Sequence, residues 1–98
     1  TLGISDTPNS PASAVLSQNY PNPFNPTTLI PFTLQKPADV SLELFDINGR
    51  LVKQLYSGYL PAGEHSYQLD AALLSSGIYF YRLSTPSVTL SRQFVFLR

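Results

Sequence analysis

Residue types able to do acid–base or nucleophilic chemistry meet once in this 98-residue chain, at Glu64-His65-Ser66 with Asp70 four positions on. Ser, His and Asp together are the groups of acyl transfer: the hydroxyl attacks, the imidazole takes its proton and the carboxylate orients the ring. That chemistry requires the hydroxyl and the imidazole to touch. Here His65, Tyr67 and Leu69 alternate as in a strand, which sends His65 and Ser66 to opposite faces. His65, the only histidine, is therefore read as a surface residue following a turn, and no catalytic residue is assigned.

A second candidate is Asp46-Ile47-Asn48-Gly49, which echoes part of a calcium loop. The glycine comes too early for that loop, and no glutamate follows at the required distance. Hairpin chemistry accounts for the same residues: Asn48-Gly49 supplies positive φ, and Asp46 accepts from nearby backbone amides. With no cysteine in the chain, thiolate metal sites and disulfides are excluded. Neither a metal nor a cofactor is expected, and an enzymatic role ranks last.

Composition narrows the remaining classes. Six basic and six acidic residues cancel, so the positive footprint of a nucleic-acid binder is missing. Charged residues make up 12% of the chain, about half the usual share, which points to attachment to something larger. The longest apolar runs, Ile78–Tyr81 and Phe94–Leu97, fall far short of the ~20 residues of a membrane helix. Residues 1–14, rich in Pro, Ser and Asn, read as a tether from an upstream cargo domain. Residues 15–98 read as one domain, and the chain as the C-terminal module of a longer protein.

The elements that must position these residues are short. From Val15 on, apolar alternations are separated by Gly, Pro and Asn signals about every ten residues, the spacing of an all-β sandwich with meander or Greek-key order. The clearest strand is Val40–Phe45, followed by a reversal at Asp46–Arg50 into Leu51–Tyr56. Leu60-Pro61-Ala62-Gly63 marks the next turn, and Ser75-Ser76-Gly77 introduces the strand Ile78–Ser84. Asp70 is placed to cap at most one helical turn over 71–74. Thr27–Gln35 is also a strand, but Pro31 within it lacks a ladder donor, which predicts a sheet edge or a bulge.

For the last hairpin, Pro86 in the first central turn position sets Leu83 opposite Leu90, Tyr81 opposite Arg92, Tyr79 opposite Phe94 and Ile78 opposite Val95. Tyr79, Tyr81, Leu83, Leu90, Phe94 and Phe96 then face the core. The other side, with Ile78, Phe80, Val95 and Leu97, is too apolar for open solvent and suggests a partner patch.

In Asn19-Tyr20-Pro21-Asn22-Pro23-Phe24-Asn25-Pro26, three prolines alternate with amides and two aromatics. The preferred reading is a stiff loop that packs Tyr20 and Phe24 over the sandwich end, even over Ile78 and Phe80. The alternative is a polyproline ligand anchored by those two rings. At the other end of the chain, Arg92 and Arg98 flank the last apolar run, either as solubilising gatekeepers or as parts of an address read by a secretion receptor.

Five blocks in order complete the picture: Leu16–Thr28, Phe45–Val52 with Asp46 and Gly49, Pro61–His65 with Gly63, Ser76–Leu83 with Gly77, and Arg92–Arg98. Together they resemble the type A C-terminal sorting domain of the type IX secretion system, a pattern related to the immunoglobulin-like domain of the flagellar hook-capping protein. Asn22 and Pro23 belong to the first block. The resemblance implies a seven-stranded immunoglobulin-like antiparallel β-sandwich that directs a folded periplasmic cargo through an outer-membrane translocon. It also implies a surface sortase that cuts within residues 1–14, and delivery to the cell surface or the medium. The signal would lie in the last strands, with Arg92, Phe94, Val95, Phe96, Leu97 and Arg98 recognised by the translocon. Deleting the last five residues is then expected to stop export without unfolding the domain. Two positions depart from the family pattern: Leu69 stands where Trp is common, and Pro31 falls within a strand. The competing reading is a permanently attached structural or adhesive module, with Tyr56 and Tyr59 stacking on sugars.

Overall fold

The structure, a computed structural model, describes residues 14–21, 27–70, 72 and 74–97. These form seven strands: β1 (Ala14–Leu16), β2 (Thr27–Leu34), β3 (Ala38–Asp46), β4 (Leu51–Leu60), β5 (Gly63–Asp70), β6 (Gly77–Ser84) and β7 (Thr89–Phe96). Two antiparallel sheets, β1-β2-β5 and β4-β3-β6-β7, pack as an immunoglobulin-like sandwich. The order is a Greek key, because the chain changes sheets after β2, β4 and β5. β1 opens at Ala14, which is buried opposite Leu34.

Alternation drives the layering. Val40, Leu42 and Leu44 of β3 and Tyr79, Tyr81 and Leu83 of β6 point inward and meet Leu16, Ile30, Phe32, Leu34 and Leu69 of the smaller sheet. Their intervening residues point out, as a period of two requires.

The Pro61-Ala62 corner joins β4 to β5 across the two sheets, with Gly63 at φ 130°. It fixes a common end for the layers, so Ala14, Leu34, Ala38, Leu60 and Thr89 lie at one end of the sandwich. Asp46, Asp70, Gly77 and Phe96 lie at the other. β1 and β7 run in the same direction, from the first end to the second.

Several expectations change here. β2 is the middle strand of its sheet, with no register shift, so Pro31 is neither at an edge nor in a bulge. The sheet tolerates it because the Pro31 carbonyl accepts Ser17 N at 3.0 Å. A strand residue's N and O point the same way, so the missing donor faces the side where β1 has just ended. The strand expected over Leu51–Tyr56 runs on to Leu60 and carries two irregularities, opposite Leu42/Glu43 and Leu44/Phe45. No helix forms among the described residues. Ala71 and Leu73 of the expected helical turn lie outside them, and the Asp70 carboxylate accepts the Ala72 N–H at 2.9 Å.

Candidate functional site

The terminal hairpin has the register that its alternation dictates: Leu83 pairs with Leu90, Tyr81 with Arg92, Tyr79 with Phe94 and Ile78 with Val95. Its loop is Thr85-Pro86-Ser87-Val88. There Thr85 N donates to Val88 O at 2.8 Å, and the Thr85 hydroxyl accepts the N–H groups of Ser87 and Val88. The inner side is dry. Tyr81, Leu83, Phe94 and Phe96 are all at most 2% exposed, and the Phe94 ring sits 5.6 Å from Tyr79 and 5.9 Å from Tyr81.

Three side chains lace this hairpin to the first segment of the domain, each ending on a backbone carbonyl. Arg92 Nε donates to Leu16 O at 2.9 Å, Tyr81 OH to Ser17 O at 2.7 Å, and Gln18 Nε2 to Gln93 O at 2.8 Å. Burial pushes the Tyr81 hydroxyl up to about 12, against the opposing pull of the Asn19 backbone amide and Arg92. Beside this lacing the Asn19 side chain is buried, with Nδ2 donating to Pro21 O and Thr28 Oγ1 and Oδ1 accepting from Gln18.

The outer side of the larger sheet carries Ile78, Phe80 and Val95, all half-buried, and Leu97, 55% exposed. Phe45 lies opposite Phe80, and Leu51 opposite Phe45, which widens the apolar surface. The Arg82 guanidinium lies 4.3 Å above the Phe45 ring and reaches Glu43 at 3.5 Å.

A comparison of the sequence with protein families decides what this hairpin belongs to: the model of the secretion system C-terminal sorting domain matches residues 18–96. The chain belongs to that family. It is a type IX C-terminal sorting signal, which works with a secretion machinery on an attached cargo that passes the periplasm toward the surface or the extracellular space. None of the curated proteins compared with the chain matches it. Among the described residues no helix is long and apolar enough to cross a membrane.

Within this sorting domain the residues expected to be recognised fall into different environments. Phe94 and Phe96 are core residues, Arg92 is engaged with Leu16, Val95 and Leu97 face outward, and Arg98 lies outside the described residues. The expectation that the last five residues can be removed without unfolding is overturned, because that deletion takes out two fully buried rings. Asn22, Pro23 and Phe24 also lie outside the described residues. Tyr20 does not pack over the sandwich end; it is 76% exposed. Asn19 is turned inward, so alternation turns Tyr20 out, where it bridges Leu29.

The other candidates take structural roles. His65 faces inward and Ser66 outward; His65 Nε2 bonds Pro61 O at 2.8 Å, with its ring 5.5 Å from Phe32, so it braces the corner between the sheets. Asp46 closes its hairpin: Oδ1 accepts Asn48 N and Arg50 N, and Gly49 takes φ 82° in a loop of four residues. The Arg50 amide, helped by the Asn48 amide and the Arg50 guanidinium, holds the Asp46 carboxyl below its ordinary value. Among the described residues no group of three His, Cys, Asp or Glu side chains is placed to hold a metal ion. Tyr56 packs inward beside the core and Tyr59 points out, so the two rings form no common sugar platform.

Sequence reasoning missed Ser17, Gln18 and Tyr81 as the lacing, and Asn19 beside it. The available signal was a run of polar residues between two apolar strands that contained no glycine and so did not read as a turn.

Proposed function

We propose that the translocon reads this sorting domain at the terminal hairpin, chiefly β7, and that Arg92, Phe94, Val95, Phe96, Leu97 and Arg98 form the address. Their tasks differ: Phe94 and Phe96 hold the strand in place from within, Arg92 ties it to Leu16, and Val95, Leu97 and Arg98 meet the receptor, with Ile78 and Phe80 extending the contact. The observation that carries this reading is the combination of a closed inner face and an apolar outer face on one terminal hairpin. Contiguous apolar surface left exposed is a mark of interaction sites.

The domain itself does no chemistry in this proposal. A surface sortase cuts between Thr1 and Ala14, the residue that opens β1, and the cargo ends on the outer-membrane surface or is released. Because removing Phe94–Arg98 also removes core, the test keeps the fold. A neutral cargo reporter is joined to the full chain and to a Val95→Thr/Leu97→Gln version, and surface delivery is compared in cells with the type IX machinery. Delivery lost from the double variant, with its amide spectrum unchanged, supports the address; equal delivery refutes it. Mature cargo still joined to the domain would refute the sortase step alone.

A further inference from the structure

We infer that β7 is read by backbone pairing, with an extended polypeptide segment of the translocation machinery adding as a strand to its outer edge between Thr89 and Gln93. This inference rests on the sorting function above and specifies how the strand is recognised. The loop bond from Thr85 N to Val88 O makes that pair hydrogen-bonded, and pairs alternate along an antiparallel ladder. Leu90, Arg92, Phe94 and Phe96 therefore spend their amides and carbonyls on β6, whereas those of Thr89, Ser91 and Gln93 point away from the sheet. Of these, only the Gln93 carbonyl has a partner among the described residues, the Gln18 amide. Thr89 and Ser91 leave both their donors and their acceptors exposed at the edge.

The opposite edge of the same sheet is protected. β4 carries two register shifts and Lys53. Bulges and lysines are the usual means of stopping strand addition. β7 has no shift, no proline and no lysine over its eight residues.

The flank of that edge defines the chemistry of the added strand. A cleft of about 250 Å³ lies between β1 and β7, lined by Ala14, Val15, Leu16, Leu90, Ser91 and Arg92. Residues directly opposite in a ladder share a face, so the positions facing Leu90 and Arg92 turn toward this cleft. Arg92 spends its Nε on Leu16 O, while its terminal amines have no partner among the described residues. The partner strand therefore presents an apolar residue opposite Leu90 and a carboxylate two positions away, opposite Arg92. Strand addition of this kind takes its affinity from main-chain bonds and its specificity from alternate side chains.

The test uses the full chain fused to a cargo reporter. Ser91→Pro removes an N–H that points away from β6 and so leaves the hairpin ladder intact, while Ser91→Ala keeps the N–H and removes only the hydroxyl. The expected result is that Ser91→Pro lowers surface delivery by about tenfold, the upper range for one lost hydrogen bond, while Ser91→Ala is delivered normally. Normal delivery of a folded Ser91→Pro variant would overturn the inference. A photo-crosslinking residue at Ser91, compared with one at Ser57 on β4, decides the matter if the proline variant does not fold. Capture of a translocon protein from position 91 alone supports the inference; capture only of a second copy, from both edges equally, or of nothing overturns it. Failure of the unmodified fusion to reach the surface would instead count against the sorting function.

Discussion

The two hairpins of the larger sheet are built to opposite ends. The β3–β4 hairpin closes on itself: Asp46 ties its own loop, bulges interrupt its ladder, and β4 sends only Leu55 fully into the core. The β6–β7 hairpin keeps a regular ladder, buries aromatic rings on one side, carries an apolar surface on the other and is laced to the start of the domain. The difference bears on where the proposed address sits. Only a strand fixed from the inside and from its neighbours can hold an apolar face and an open edge toward solvent without collapsing or pairing at random.

The largest expected break in that comparison is removal of Phe94–Arg98. Each buried Phe is worth about 3–5 kcal/mol, against about 5–15 kcal/mol for a whole domain of this size, so the truncated domain should be unfolded by circular dichroism. Removing only Leu97 and Arg98 should leave the fold intact. Next comes the pair Phe94→Ala and Leu55→Ala. The first should cost about 3–5 kcal/mol in urea unfolding and the second, on the bulged edge strand, nearer 2 kcal/mol.

Smaller effects sharpen the contrast. Tyr81→Phe should lose about 1 kcal/mol with the bond to Ser17 O, whereas Gln54→Ala on β4, whose contact to Ser41 is long and exposed, should lose almost nothing. Tyr81 also predicts an alkaline limit. Its folded value lies above the ordinary 10.0, so its contribution is complete below pH 10 and is lost as pH rises toward about 12. Thermal melts of Tyr81→Phe should be less sensitive over that range. The smallest effect is at Asp46, whose folded value lies below 3.8. Its contribution is present above that pH and lost as pH falls through the folded value, so Asp46→Ala and the native domain should converge in Tm in acid.

Much of this was legible in the sequence. The inner set Tyr79, Tyr81, Leu83, Phe94 and Phe96 follows from period-two alternation on either side of a proline turn, and Val40–Leu44 from the same rule. Pro31 misled because proline reports a missing donor without reporting which side it faces; a three-residue first strand was enough to accommodate it. Tyr20 misled because a buried aromatic is the common case, while its outward direction was set by the neighbouring Asn19. The lacing was hidden for a different reason. Bonds from Arg92, Tyr81 and Gln18 end on backbone carbonyls 64 to 76 residues away in the chain, and a carbonyl has no residue type by which to recognise it.

The parallel run of β1 and β7 bears on what the domain can carry. β1 starts beside Leu34, whereas β7 finishes beside Gly77, the length of an eight-residue strand or about 23 Å further along. Of the proposed address, Val95 and Leu97 lie toward the finishing end, away from whatever protein is joined at the entering end. In that part of the proposed contact, the bulk and shape of the passenger count least.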